Sequence, residues 1–407
     1  MTLAIDSLSA GGDGVGRSEG LVVFTPRTAP GDRVSVDITV QGRVGRGRLR
    51  RVESAGPARV TPRCAHYAAP DRCGGCQWQQ VAIGAQREAK RLIVRDAFAR
   101  IAKRTVELPP IHGGAEWRYR RSLTLAIRRP AGGAVFAGLR AFDDPEAVFK
   151  LDDCEITVPA VLATWRTILS AGAYLPAEPR LRGTVREVDG LSYFTLEGGR
   201  AWPEVAQFLD AVPALAAVWW HADGRHRRLI ADRRPASAPG ASFVQVNAEV
   251  AAMLQADVVA RVMACGPRTV VDAYSGAGDT AAALAANGVN VVAIEADEEA
   301  TAWAASRLPA GSRAIAARVE DVIARVLPTD VVILNPPRSG VDAKVTAALG
   351  PGAAAAKAIV YVSCDPATLA RDVARLAGWR VHALACYDLF PQTSHVETVC
   401  ELRPEAA

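Results

Sequence analysis

The sequence predicts an α/β fold in three parts: a small OB-like β-barrel over 1–57, a mixed, mostly β region over 58–240, and a Rossmann-like doubly wound sheet over 241–407. Three observations predict it. From Phe243 onward, apolar β-rich runs alternate with Ala-rich helical runs, the pattern of a parallel sheet with helices on both faces. Residues 1–56 are rich in Gly and Val and consist of short alternating runs cut by turn residues, as in a small barrel. Between these parts lie a cysteine-rich stretch over 60–80 and a Pro- and Ala-rich stretch over 233–241 that reads as a linker.

In the first part, 21–24 and 34–38 read as strands, and Gly11-Gly12-Asp13-Gly14 and Ala29-Pro30-Gly31-Asp32 as turns. The segment 41–52 carries Arg43, Arg46, Arg48, Arg50 and Arg51 and no acid. Alternation puts Arg46, Arg48 and Arg50 on one face of a strand. That face suits nucleic acid, or protects a sheet edge. Val94, Ala97, Phe98 and Ile101 recur at helical spacing, so 85–103 reads as a helix with a basic polar face. The stretch 85–108 is expected to pack on the C-terminal domain. Strands are expected near 123–128, 135–139 and 193–196, with a helix near 159–170. In the last part, strands 269–273, 289–295, 331–335 and 359–363 alternate with helices 280–287, 298–308 and 366–377.

The net charge of +5 is unevenly spread. Of the 48 basic and 43 acidic residues, 35 and 25 fall in 1–240, so this part is net +10 and the remainder net −5. A basic front half suggests a polyanionic partner. Between Gln86 and Lys150 there are 14 basic and 7 acidic residues. No apolar run is long enough to span a membrane, and Met1–Ala10 lacks a signal-peptide pattern. A cytoplasmic location is expected.

The chemistry-bearing residues sit at strand ends. Asp272-Ala273-Tyr274-Ser275-Gly276-Ala277-Gly278 takes a strand into a glycine turn and a helix, and glycine lets backbone approach a ligand. Glu295 follows at the end of the next strand, where a carboxylate can accept from a ribose diol. Taken alone, this pattern also fits a loose dinucleotide fingerprint or a turn with no ligand. Asn335-Pro336-Pro337-Arg338 ends another strand with a rigid loop and an amide able to read the edge of a planar base. Cys364 lies between a strand and a helix that starts at Pro366. There the helix dipole is expected to lower a thiol's pKa, although cysteine is commonly just a small buried residue. Glu397 is the candidate base, with His395 as competitor. Cys64-x8-Cys73-x2-Cys76 with the distant Cys154 supplies four thiols. Zinc or an iron–sulfur cluster could use them, and spacing does not choose. Trp117-Arg118-Tyr119-Arg120-Arg121 mixes cations with aromatics, a composition suited to phosphates and unstacked bases.

Five motifs stand in fixed order: Phe243-x-Gln245-x-Asn247, Asp272 to Gly278, Asn335 to Arg338, Ser363-Cys364-Asp365-Pro366, and Phe390 to Thr398. Together they resemble the uridine-5 RNA methyltransferases, specifically the 23S ribosomal RNA branch with a TRAM barrel and an iron–sulfur cluster. The resemblance covers essentially the whole chain. It implies an S-adenosylmethionine site lined by Gln245, Asp272, Tyr274, Ser275, Gly276, Gly278, Glu295 and Asn335. It implies Cys364 as covalent nucleophile, Glu397 as base and Asn335 orienting the target base. It also implies a [4Fe-4S] cluster on Cys64, Cys73, Cys76 and Cys154. Ribosomal RNA is the implied partner, gripped by Arg46, Arg48, Arg118, Arg120 and Arg121, with the chain a monomer. The same reaction on transfer RNA is the nearest alternative, and a non-catalytic RNA-binding iron–sulfur protein is a rival from another class. Amino-group methylation, which also uses Asn-Pro-Pro loops, would leave Cys364 unexplained. Two positions depart from the commoner family pattern: Asn335 stands where many members carry Asp, and Asp365 where many carry Asn.

Overall fold

The computed structural model describes residues 1–234, 245–350 and 356–405. Most of the expected 233–241 linker, and Phe243 of the first motif, lie outside the described residues.

Five strands close a barrel in the order β1-β2-β3-β5-β4. They are β1 (Thr2–Leu8), β2 (Gly14–Ser18), β3 (Leu21–Thr25), β4 (Arg33–Gln41) and β5 (Val44–Ser54). Leu3, Ile5, Val23, Val34 and Val36 fill its interior, every second residue of their strands. On β5, Gly45 and Gly47 face inward while Arg46 and Arg48 stay exposed. A Cβ at Gly47 would meet the Thr25 hydroxyl at 2.3 Å, so the inner face takes no side chain there.

Helix α1 (Ile83–Ala97) runs on into a π-turn at Phe98–Ala102. Val94 and Phe98 belong to the same apolar cluster as Val271, Leu334, Tyr361 and Leu369 of the C-terminal sheet. Strand β6 (Ile111–Gly113) adds itself to the edge of that sheet. This stretch thus packs on the C-terminal sheet and contributes a strand to it. At its centre Lys90 Nζ lies 2.5 Å from Asp388 Oδ1, with both side chains fully buried, and Arg87 reaches the other oxygen at 3.2 Å. Removing one partner of such a pair strands a buried charge, which costs about 3–5 kcal/mol. Asp388→Ala is accordingly expected to lower unfolding free energy by about that amount in urea titration. A loss under about 1 kcal/mol would mean that the pair is not buried in solution.

The middle region is a seven-stranded sheet of order β13-β12-β11-β10-β7-β8-β9. Its strands are β7 (Ser122–Arg128), β8 (Phe136–Arg140), β9 (Val148–Lys150), β10 (Arg180–Val188), β11 (Leu191–Glu197), β12 (Leu215–His221) and β13 (Arg228–Asp232). Helices α2 (Pro159–Ser170) and α3 (Val205–Ala211) cover one face through Trp165, Ile168 and Phe208. The sequence indicated β7, β8, β11 and α2. It did not indicate β10, where Arg180, Arg182, Gly183 and Arg186 mask the alternation.

The C-terminal sheet has the order β16-β15-β14-β17-β18-β20-β19-β6. Its remaining elements are α4 (Ala248–Met263), β14 (Thr269–Ala273), α5 (Asp279–Ala286), β15 (Asn290–Glu295), α6 (Glu298–Arg307), β16 (Arg313–Ala316), α7 (Val319–Val322), β17 (Val331–Leu334), α8 (Ala343–Ala348), β18 (Ala358–Ser363), α9 (Pro366–Arg375), β19 (Trp379–Asp388) and β20 (Glu397–Pro404). Strands β14 to β18 are mutually parallel, as expected. The antiparallel ending through β20 and β19 was not expected, and it decides the site's geometry. No helix among the described residues is long and apolar enough to cross a membrane.

Candidate active site

Strand order reverses at β14, whose neighbours are β15 on one side and β17 on the other. In open α/β sheets the crevice beyond such a point takes the ligand. The β14 turn opens there. Tyr274, Gly276 and Gly278 all adopt positive φ, at 62°, 55° and 77°. Over Gly276 there is open space, whereas a Cβ at Gly278 would strike Ala304 at 2.6 Å. Gly278 thus lets α6 pack close, and Gly276 leaves room for a ligand. Glu295 Oε2 accepts from Gly276 N at 3.0 Å, and Oε1 accepts from Ala296 N and Asp297 N at 2.7 and 2.9 Å. This carboxylate is fixed, with lone pairs still available for hydroxyls.

Two buried oxygens here, Asp272 Oδ2 and Ser275 Oγ, have no hydrogen-bond partner among the described residues. Burial pushes the Asp272 carboxyl up to about 7. A ligand carrying hydroxyls and a positive charge would satisfy both oxygens and draw Asp272 back down. The residues therefore fit S-adenosylmethionine. Gln245 is half-buried just ahead of α4, whose N-cap Asn247 accepts from Val250 N at 3.3 Å.

The reactive pair follows from register. In the antiparallel pairing of β18 with β20, Ser363 lies opposite Thr398. Cys364 directly follows Ser363, and Glu397 directly precedes Thr398, so the end of this ladder brings the two close. The two groups act on each other electrostatically. Glu397 is 4% exposed, and burial pushes its carboxyl up to about 8. Cys364 corrects the expectation of a lowered thiol pKa. Burial raises it first, the Glu397 carboxylate raises it further, and the guanidinium of Arg338 opposes both. The start of α9 is still well made, with Asp365 Oδ1 accepting from Thr368 N at 2.8 Å. Its dipole does not outweigh desolvation.

Arg338 was quoted in a motif but given no role. It is the cation acting on Cys364, Glu397 and His395 together. Burial and Arg338 lower the His395 pKa, favouring the neutral ring. The Arg338 loop is tied to α9: Thr368 Oγ1 donates to Arg338 O at 3.2 Å, Arg371 to Ser339 O at 2.8 Å, and Val341 N to the buried Asp372 at 3.0 Å. Asn335 is exposed at the end of β17, free to meet a base.

The loop before Glu397 is clamped from the middle region. Gln86 Oε1 accepts from Gln392 N at 2.9 Å, Lys90 Nζ donates to Phe390 O at 3.1 Å, and Tyr119 Oη donates to Pro391 O at 2.9 Å. Tyr119 is thus a core residue and not a stacking platform. Arg118 is also engaged: it pairs with Asp153 at 2.7 Å and donates to Cys154 O at 2.8 Å, bracing the cysteine segment. Arg121 faces Glu187 at 3.5 Å and Arg46 faces Asp13 at 3.2 Å. Arg48 and Arg120 have no ion pair among the described residues.

Cys64, Cys73, Cys76 and Cys154 line one cavity of about 350 Å³, together with His395 and Arg338. Burial raises the pKa of Cys64, Cys73 and Cys76, and each also feels the neighbouring thiols. No three His, Cys, Asp or Glu side chains among the described residues are arranged to hold a metal ion. Tetrahedral zinc with bonds of about 2.3 Å needs its sulfurs about 3.8 Å apart. Four thiols around one cavity are a donor set that zinc or an iron–sulfur cluster could use.

A family profile described as tRNA (Uracil-5-)-methyltransferase matches residues 310–403. An uncharacterized RNA methyltransferase of Thermosynechococcus vestitus is 31% identical, over 98% of this chain and 97% of its own. The 23S rRNA (uracil(1939)-C(5))-methyltransferase RlmD of Chromohalobacter salexigens is also 31% identical, over 98% of this chain and 88% of its own. Among solved structures, a Pyrococcus abyssi tRNA (uracil-54, C5)-methyltransferase bound to S-adenosyl-L-homocysteine shares the fold. It has a TM-score of 0.69 at 22% identity, over 99% of this chain and all of the other. With matches over nearly its whole length, the chain belongs to the uracil-5 RNA methyltransferase family.

Proposed function

We propose that the chain methylates carbon 5 of a uridine in 23S ribosomal RNA, with Cys364 as covalent nucleophile and Glu397 as the base that completes the reaction. The observation that carries this reading is a thiol just past the end of β18 that feels the charge of a buried carboxyl at the start of β20. Asp272, Tyr274, Ser275, Gly276, Gly278 and Glu295 would hold S-adenosylmethionine, which would supply an electrophilic methyl group and be left as a neutral thioether when its sulfur–methyl bond breaks.

The chain's residues do the rest. The uridine must leave any stack to reach the crevice. Asn335 bonds the edge of the flipped base. Arg338 favours the thiolate of Cys364 over the thiol. The sulfur adds to carbon 6 of the ring, and the electron pair of the 5,6 double bond becomes available at carbon 5. Once carbon 5 carries the methyl group, Glu397 takes its remaining proton. The double bond re-forms and the sulfur leaves as thiolate.

We read 1–57 and 58–240 as the RNA-holding parts and 241–407 as the catalytic part. Cys64, Cys73, Cys76 and Cys154 would hold a [4Fe-4S] cluster that shapes the middle region. Protein purified without oxygen is expected to carry about four irons per chain. Stoichiometric zinc without iron would overturn that assignment. The reaction itself is tested by mapping 5-methyluridine in ribosomal and transfer RNA from cells lacking the chain. Loss of one ribosomal site is expected. Loss from transfer RNA alone would move the substrate, and no loss from either would reject the reaction.

A further inference from the structure

The open face of the middle sheet carries a cluster of four arginines, two of which have no ion pair among the described residues. Arg180 on β10 lies directly opposite Arg128 on β7. Arg140, at the end of β8, acts on the same guanidinium. Like charges facing each other across strands oppose sheet formation. Arg180 reaches Glu146 at 3.0 Å and Arg182 reaches Glu197 at 2.9 Å, both at the surface. Arg128 and Arg140 have no ion pair among the described residues. The four arginines surround a shallow depression of about 450 Å³. Burial, then Arg180 and Arg140, lower the Arg128 pKa, and Glu146 opposes them.

The same face runs toward Arg338, the cation that acts on the reactive pair. Thr124, on the Arg128 side of β7 and hydrogen-bonded to Thr184 at 2.8 Å, borders the four-cysteine cavity, whose rim also includes Arg120, His395 and Arg338. Arg120 to Arg128 spans about 27 Å of extended chain. That is about eight nucleotides at the helical rise of one strand. We infer that Arg128, Arg140 and Arg180 form a phosphodiester-binding site for the RNA strand flanking the target uridine, which crosses this sheet face before entering the active site. The inference rests on the RNA reading above. A phosphate placed among three guanidiniums turns their repulsion into charge-assisted bonding.

The test is equilibrium binding of a 5′-fluorescein single-stranded RNA of about 30 nucleotides, measured from low to moderate salt. The doubly substituted chain, Arg128→Gln with Arg140→Gln, is expected to bind about tenfold or more weakly, with its log–log salt slope reduced by roughly two. Arg128→Lys keeps the charge and should retain most of the affinity. The double variant should melt at or above the wild-type temperature, because repulsion is relieved. Unchanged affinity and slope would overturn the site. So would weaker binding accompanied by a lowered melting temperature and an unchanged slope, which marks a structural role. A wild-type chain that binds this RNA and leaves no 5-methyluridine anywhere would sink the proposed reaction and leave the site standing.

Discussion

Cys364→Ala is expected to abolish methyl transfer, by about 10⁴-fold or more, while leaving RNA affinity within about twofold. The reason is chemical. Carbon 5 of uracil becomes a nucleophile only while something is bonded to carbon 6. Three other thiols are poorly placed to substitute: Cys386 and Cys400 are fully buried within β19 and β20, and Cys265 lies past the end of α4, donating to Arg261 O. RNA affinity should persist because its cationic contacts lie on other elements. The side chain is only half-buried, so stability should change by about 1 kcal/mol or less. Tritiated methyl incorporation into RNA measures the first effect and filter binding the second. Turnover near the wild-type rate would exclude a covalent mechanism at this residue.

The reactive residues were legible in the sequence because each stands where a strand gives way to a turn. Cys364, Asn335, Glu295 and the Tyr274–Gly278 turn were placed by apolar runs that end abruptly. What brings them together was not legible. The approach of Cys364 to Glu397 depends on β20 running antiparallel to β18, and no local pattern encodes strand direction. The sign of the thiol's shift was missed for a related reason. A helix start is visible in the sequence, but burial against β20 and the Glu397 charge come from residues more than thirty positions away. Arg118 and Tyr119 read as RNA-facing by composition, yet tertiary partners claim both: Asp153 the guanidinium and Pro391 the hydroxyl. The arginines of β10 hid a strand, because charged outward residues without apolar contrast obscure a period of two.

Glu397→Gln is expected to leave methyl transfer to carbon 5 possible and to block release, so that a methylated protein–RNA adduct accumulates and survives denaturation. An amide has the shape of the acid but cannot take a proton. Sulfur cannot leave carbon 6 until carbon 5 has lost its proton. A denaturing gel with labelled RNA should show a retarded band that Cys364→Ala abolishes, and its absence would point to another base, with His395 next in reach. The same substitution carries a pH signature. The Glu397 carboxyl titrates near 8 in the folded chain, above its ordinary 4.5. Its contribution to stability is therefore complete below about 4.5 and declines as pH rises through 8, because the unfolded chain gives up this proton first. Glutamine removes that dependence. The variant should gain stability over the native chain between pH 5 and pH 8, and a difference that stays flat across this range would mean that the carboxyl is ionised and solvated, unfit to act as a buried base.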